Sequence, residues 1–404
     1  MIADRELNAD LRRDVLALVF ILIGLVNLVW SLAHQELIIF SGGDGWDGLH
    51  YERLVRNFSH PEAARETVAF PYCVRVAVPF LVSLFGSDNI SFYRFNMAVS
   101  ILFSVTFVLS NMAFWKGSAP ALVAAIVMSS LLYFSPVRFT SFYPAYVDPL
   151  FMTIMVLCVY FILRDNIVVG LLLCVVAIPV KEAAFYVIPL VIIFDCVGGR
   201  FFCRWKMYII FCLLAVVCKC IIPISVGCHG QFQIVTGAYW FVRAISSPER
   251  FMSVVAALSL TLGPVLVVRG TKIIEGVDGR VKRLSVVSIP YIAFLSICGG
   301  SDVTRIFYGL CPFFAPLIIM SFRNMGGIDY ACAMLGWVLT NRIFEGYQQP
   351  VVDEVGGHVA GFFSQFPDYA GASTVLQTIG LWAVSAGLSR WGRALWAAPD
   401  VEKA

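Results

Sequence analysis

Residues 207–225 read MYIIFCLLAVVCKCIIPIS, an apolar run in which Lys219 is the only charged side chain. A run of about 20 apolar residues can cross the hydrocarbon core of a bilayer, which is roughly 30 Å thick. Because lipid offers the backbone no hydrogen-bond partners, a run that crosses it must be an α-helix. Similar runs recur along the whole chain, and they determine the fold class.

The composition agrees with this interpretation. The chain of 404 residues is 59% hydrophobic and only 14% charged, whereas a soluble domain carries about 25% charged residues. The mean hydropathy is +0.83. We therefore expect residues 1–404 to form a single transmembrane domain. The first apolar run has no small-residue cleavage site after it, so we expect it to be a retained span and not a signal peptide.

The apolar runs predict an all-α polytopic membrane protein with about 12 transmembrane helices. The predicted spans are 14–38, 90–114, 119–136, 146–163, 167–180, 183–197, 207–225, 250–268, 284–299, 305–322, 328–344 and 370–388.

One apolar stretch, residues 70–85 in the first outer loop (39–89), decides the topology. If it crossed the bilayer, the two most basic loops, 200–206 and 269–283, would face outward, against the positive-inside rule. We therefore predict that 70–85 is an interfacial or re-entrant helix, and that 48–58 is a second interfacial helix. Both termini are then on the cytoplasmic side. We favour a bacterial inner membrane with a periplasmic active site as the location, and the membrane of the endoplasmic reticulum is the alternative.

The first outer loop begins with SGGDGWDGLHY at 41–51, which carries two carboxylates among four glycines. Asp44 and Asp47 are the candidate catalytic residues, and His50 and Tyr51 are candidate substrate-binding residues. A carboxylate beside apolar surface is partly desolvated, so its pKa can rise toward the working pH and it can act as a general base. The alternative is that this glycine-rich sequence only turns the chain out of a membrane helix.

Two further outer-face positions carry charges that could bind an anionic substrate. Arg75 lies within an apolar stretch, where a guanidinium is costly to bury without a partner. A phosphate would supply that partner, and snorkelling to lipid headgroups is the alternative. Lys181 and Glu182 join two spans. Lys181 could bind a phosphate while Glu182 orients the lysine. Alternatively, the two charges could only keep the turn solvated.

Two more candidates lie where predicted spans begin. Asp148 precedes Pro149, which is also typical of a helix N-terminus without other function. Asp302 and Arg305 are three residues apart and so share one helix face. We predict that Arg305 binds phosphate and that Asp302 braces it.

These stretches resemble motifs of the GT-C superfamily of integral membrane glycosyltransferases. The similar segments are Asp47-Gly48-Leu49-His50-Tyr51, Arg75-Val76-Ala77-Val78-Pro79, Val147-Asp148-Pro149, Lys181-Glu182 and Asp302-Val303-Thr304-Arg305. The resemblance implies an inverting transfer of a sugar from a polyprenyl-phosphate donor to an acceptor glycan or lipid at the outer face. It also implies a first-loop aspartate as base. The local motif favours Asp47, whereas proximity to the first span favours Asp44.

The alternative function is a transporter or flippase of a lipid-linked saccharide, which would place ionisable groups near the bilayer midplane. Lys219 is the clearest charge in such a position. A third interpretation is an assembly subunit without chemistry. In an enzyme we expect the outer-face charges to converge on one cavity, and in a transporter we do not.

The remaining features restrict the cofactors and partners. The 12 cysteines show no metal-type spacing and no paired framework, and we assign no metal ligands. A divalent cation is compatible with the proposed chemistry without being required by it. No phosphate-binding loop or dinucleotide fingerprint is present, so nucleotide handling on the inner face and nucleic-acid binding are not expected. The expected partners are the lipid-linked sugar, its acceptor and membrane lipid.

Overall fold

The computed structural model describes residues 45–60, 66–86, 88–115, 118–132, 134–226, 261–298, 303–341 and 372–396, with shorter pieces within 15–38 and 228–255 and at residue 347. Two candidate site residues, Asp44 and Asp302, lie outside the described residues.

The described part of the chain is all-helical. A helix at Ala17–Trp30 comes first. The α-helices that follow are α1 (Gly45–Ser59), α2 (Ala77–Ser83), α3 (Asn89–Trp115), α4 (Ala119–Ser130), α5 (Pro136–Thr140), α6 (Asp148–Leu163), α7 (Ile167–Ala177), α8 (Ala183–Val197), α9 (Phe201–Val226), α10 (Gly279–Cys298), α11 (Val303–Gly309), α12 (Ala315–Arg323), α13 (Gly327–Thr340) and α14 (Ala372–Trp396). Short 3₁₀ helices lie at Tyr72–Val74, Gly270–Ile274 and Cys311–Phe313.

Three of the described helices are long and apolar enough to cross a membrane. They are the segments Ile90–Phe114, Phe201–Ile222 and Gly279–Cys298, within α3, α9 and α10. Shorter apolar helices pack around them, and α6 contacts both α3 and α7 along its length. This arrangement confirms an all-helical fold with membrane-spanning character.

The predicted span at 305–322 is wrong as a single helix. The chain forms α11, then the 3₁₀ helix Cys311–Phe313, and then α12. Pro312 and Pro316 lie at these junctions. Proline has no N–H to donate and its ring clashes with the preceding helical turn, so it ends or breaks a helix. The break leaves Arg305 on a short helix of its own.

The described part of the first outer loop contains the helices α1 and α2, with the 3₁₀ helix Tyr72–Val74 between them. Segment 48–58 lies within α1, as predicted. In the stretch 70–85, α2 has only 7 residues. At 1.5 Å per residue it is about 10 Å long, far less than the thickness of a bilayer. The chain in this stretch therefore does not cross as a helix, and α1 and α2 pack against each other.

The basic loops meet at one end of the helix bundle. Asp165, in the turn between α6 and α7, forms ion pairs with Arg200 at 2.6 Å, Arg204 at 3.2 Å and Arg280 at 3.5 Å. Arg323 donates to the carbonyl oxygens of Phe114 and Gly276. The loops predicted to lie on the inner side therefore share one end, which we call the basic end.

We predict that the two ends of the bundle lie on opposite sides of the membrane. His60 follows α1, and Lys282 lies at the basic end; both are exposed. A membrane-impermeant maleimide should label His60→Cys in intact cells, and Lys282→Cys only after permeabilisation. Peptide mapping by mass spectrometry identifies the labelled cysteine. Labelling of both variants from the same side would contradict the topology.

Candidate functional site

Six charged side chains meet at the end of the bundle opposite the basic end. They come from five separate parts of the chain, and we call them the charged cluster: Asp47, Arg75, Asp148, Lys181, Glu182 and Arg305. All are candidates from the sequence. The structure thus brings together every predicted charged site residue that it describes.

Asp47 is held by two donors. One carboxylate oxygen, Oδ2, accepts a hydrogen bond from Nη2 of Arg305 at 3.0 Å. The other, Oδ1, accepts from the hydroxyl of Tyr72 at 3.2 Å. Arg305 is a partner that lies 258 positions away in the sequence, so this contact joins the first outer loop to α11.

The backbone around Asp47 is positioned by Tyr143. The hydroxyl oxygen of Tyr143 accepts hydrogen bonds from the amides of Asp47 at 2.8 Å and Gly48 at 3.0 Å. These amides lie in the first turn of α1, where backbone donors have no partner within the helix. Tyr143 is fully buried, so it fixes the start of α1 against the bundle.

Arg75 and Glu182 form a two-pronged ion pair. Nε and Nη2 of Arg75 donate to the two carboxylate oxygens of Glu182 at 2.7 and 2.6 Å. Nη1 of Arg75 donates to the hydroxyl of Tyr51 at 2.8 Å. This planar, bidentate geometry is the strongest form of such a pair. Both charged groups are buried, so the turn that carries Glu182 is not simply solvated.

Asp148 contacts two cations of the charged cluster, Lys181 and Arg305. Its carboxylate forms an ion pair with Nζ of Lys181, and its Oδ2 atom lies 3.8 Å from Nε of Arg305. Val147 is the N-cap residue of α6, and Asp148 is its first helical residue, so Asp148 does not occupy the capping position. Its position at a helix start therefore serves the charged cluster and does not act as a side-chain cap.

His50 lies at the edge of the charged cluster. Its ring stacks on Tyr72 with centroids 4.2 Å apart and an interplanar angle of 9°. Burial and the nearby Arg53 lower the pKa of His50 below its ordinary value. His50 is therefore mainly neutral at pH 7, which makes it a hydrogen-bonding or stacking group and not an additional cation.

The electrostatic state of Asp47 differs from the sequence expectation. Burial raises its pKa, as expected, but the nearby Arg305 and Arg75 guanidinium groups lower it more, and the net pKa is below the ordinary value. Asp47 is therefore a carboxylate at neutral pH. The expectation of a raised pKa fails because the sequence did not show that Arg305 contacts it.

Two aromatic residues of the site were not identified from the sequence. Tyr72 touches Asp47 and His50, and its ring lies 5.5 Å from the guanidinium of Arg75. Tyr143 holds the start of α1. Membrane-interface aromatics are usually anchors, so only contacts in the folded chain distinguish these two from the others.

A disulfide bond corrects the expectation that no cysteines pair. Cys73 and Cys228 are bonded, with Cα atoms 5.5 Å apart. They are 155 positions apart in the sequence, so no local spacing could reveal the pair. The bond ties the segment before Arg75 to the chain just after α9. Stable disulfides form in oxidising compartments.

Metal ligands are not evident in the described part of the chain. No three His, Cys, Asp or Glu side chains there are grouped so that they could hold a metal ion. The carboxylates of the charged cluster are instead paired with arginine and lysine.

Comparison of the chain with protein-family models, with curated proteins and with solved structures finds no match. The resemblance to the GT-C superfamily is tested by none of these comparisons and stays a prediction. Any functional assignment therefore rests on the charged cluster and its surroundings.

We predict strong thermodynamic coupling between Arg75 and Glu182. Removing one partner of a buried ion pair leaves an uncompensated charge, which costs about 3–5 kcal/mol. Arg75→Met and Glu182→Met should each lower the thermal unfolding midpoint in detergent, and the double variant should recover much of that loss. Additive losses in the double variant would show that the two side chains are not paired. Arg56→Met, which breaks the more exposed pairs with Glu52 and Glu66, is the control and should change little.

Proposed function

We propose that this protein is a membrane glycosyltransferase of the GT-C type. It would move a sugar from a polyprenyl-phosphate donor to an acceptor glycan or lipid at the outer face of the membrane. The observation that carries this proposal is the convergence of Asp47, Arg75, Lys181 and Arg305 at one end of an apolar helix bundle. Such a site suits a substrate with an anionic head and an apolar tail. Convergence favours an enzyme over a transporter.

The proposed topology has about 12 spans, cytoplasmic termini and an active site on the periplasmic side of a bacterial inner membrane. Two observations support it. The basic loops around Asp165 lie at the other end from the charged cluster, as the positive-inside rule requires. The Cys73–Cys228 disulfide lies next to Arg75, which suits an oxidising compartment.

Within the charged cluster, Arg305 and Lys181 are the proposed ligands of the donor phosphate. The side chains of Arg305 and Asp47 are 16% and 14% exposed, whereas those of Lys181 and Asp148 are 7% and 5% exposed. Among the cations of the charged cluster, Arg305 is therefore the one that an incoming substrate meets first. The guanidinium of Arg75 already donates hydrogen bonds to Glu182 and Tyr51. Its proposed role is therefore to hold the site residues in position and not to bind the phosphate.

Asp47 is the proposed general base, and phosphate binding would activate it. The charged cluster contains three carboxylates and three cations, which balance one another. A phosphate adds negative charge and competes for Arg305, which removes part of what lowers the pKa of Asp47. Burial then dominates and raises that pKa. The carboxylate would thus become a stronger base only when the donor is bound.

The transfer itself needs no further group. Asp47 takes the proton from the acceptor hydroxyl while the acceptor oxygen forms a bond to the anomeric carbon. The bond from that carbon to the phosphate oxygen breaks, and the electron pair leaves with the phosphate. The products are the glycosylated acceptor and the polyprenyl phosphate. A single displacement of this kind inverts the anomeric configuration.

The proposal predicts that Asp47→Asn abolishes transfer. The amide keeps the shape but cannot accept the proton, so turnover should fall by about 10²-fold or more. The measurement is transfer in isolated membranes, with lipid-linked sugars extracted from cells that lack the gene as donors. Glu52→Gln, in the same helix and paired with Arg56, is the matched control and should stay active. Full transfer by folded Asp47→Asn would contradict the mechanism and favour the transporter alternative.

A second prediction concerns pH. The pKa of Asp47 in the free protein lies below the ordinary value of an aspartate. We therefore expect kcat/KM to stay constant as the pH falls from neutral toward the pKa values that carboxyl groups ordinarily have. Arg305→Met removes the nearest cation and leaves burial, which raises the pKa of Asp47. The acid limb of the kcat/KM profile should then move to higher pH. An unchanged acid limb in Arg305→Met, with measurable residual activity, would show that Asp47 is not the group that titrates.

A further inference from the structure

Lys219 is a cation on a helix that faces lipid. Helix α9 lies at the edge of the bundle, and its apolar side chains at Ile209, Leu213 and Val217 are about half exposed. Lys219 lies 7 residues before the end of α9, or about 10 Å along the axis. It is the only charge in an otherwise apolar run of that helix, and burying it in hydrocarbon is costly.

The ammonium group of Lys219 is held by aromatic rings beside the charged cluster. Its Nζ atom lies 4.4 Å from the ring centroid of Phe185 and 5.1 Å from that of Tyr186. Both rings lie in the first turn of α8, directly after Glu182, which binds Arg75. Among the described residues Lys219 has no carboxylate within ion-pair distance. It is therefore a cation added to a cluster whose own charges balance.

An apolar groove lies along the first half of α9, between Phe201 and Leu213. It has a volume of about 400 Å³, and Ile192 of α8 lines it together with Trp205, Ile209 and Cys212 of α9. Cys212 and Lys219 are seven residues apart and so lie on the same face of the helix. A chain lying in this groove would reach Lys219 after two further helical turns.

We infer that the seam between α8 and α9 is the route by which a polyprenyl-phosphate lipid reaches the charged cluster. The isoprenoid tail lies in the apolar groove, and Lys219 binds the phosphate before Arg305 does. This inference rests on the proposed function, because it names the entry route of the same donor. It adds a lipid-binding position outside the charged cluster.

Charge and shape together favour this lipid as occupant. A phosphate neutralises Lys219, for which the described residues show no carboxylate partner, and cation–π contacts leave the outer side of an ammonium group free to donate hydrogen bonds. Snorkelling to the headgroups is the alternative, and binding of a phosphate lipid to Lys219→Met and to Lys219→Arg distinguishes the two. The ammonium group lies over two rings next to Glu182.

The test is binding of undecaprenyl monophosphate to the purified protein, measured by native mass spectrometry in detergent. Lys219→Met should weaken binding about ten-fold or more, because it removes a charge-assisted hydrogen bond, and Lys219→Arg should retain most of it. Lys206→Met is the matched control: Lys206 is on the same helix, lies 5.8 Å from the ring of Trp205, and is exposed at the basic end. The Lys206→Met variant should bind undecaprenyl monophosphate as tightly as the unmodified protein does.

Three further ligands distinguish the source of binding. Undecaprenol, inorganic phosphate and phosphatidylglycerol should each bind weakly and without dependence on Lys219. Equal binding by Lys219→Met and the unmodified protein would overturn the inference, as would an equal loss in Lys206→Met. If binding depends on Lys219 but no transfer occurs, the entry route stands and the proposed enzymatic function fails.

Discussion

A charge that is buried among apolar side chains must be paired, and this requirement shapes the end of the bundle that holds the charged cluster. Arg75 and Glu182 are buried and satisfy each other with two short hydrogen bonds. Lys181 and Asp148 are also buried, and they form an ion pair with each other. Removing one member of such a pair costs far more than the pair itself contributes. The charges therefore hold five distant parts of the chain in one arrangement.

The need to pair buried charges also indicates how the proposed site would respond to a phosphate. The pair between Asp47 and Arg305 is the most exposed of the three, and a single 3.0 Å hydrogen bond joins its two side chains. A phosphate that takes Arg305 leaves Asp47 without its main counter-charge. In the proposed function, an anionic substrate would therefore separate Asp47 from Arg305.

Much of the arrangement could be predicted from the sequence, because charge placement and apolar length are local properties. The short basic loops predicted their common end, and the apolar runs predicted α3 and α9 closely. The motif around Asp47 predicted a residue that does lie in the charged cluster. Its role as a base is untested.

Other features could not be predicted, since they depend on contacts between distant residues. The lowered pKa of Asp47 requires Arg305, 258 positions away. The Cys73–Cys228 bond and the support from Tyr143 arise in the same way. The break at Pro312 could have been predicted from proline chemistry alone, but hydropathy favoured one continuous helix.

The measurement that tests the central claim most directly is a cryo-electron microscopy structure of the protein in a lipid nanodisc with undecaprenyl monophosphate. We expect the phosphate to contact Arg305 and Lys181, the bond between Asp47 and Arg305 to be broken, and the Arg75–Glu182 pair to be intact. A bound lipid phosphate at the basic end, or one that leaves the Asp47–Arg305 bond in place, would contradict this account.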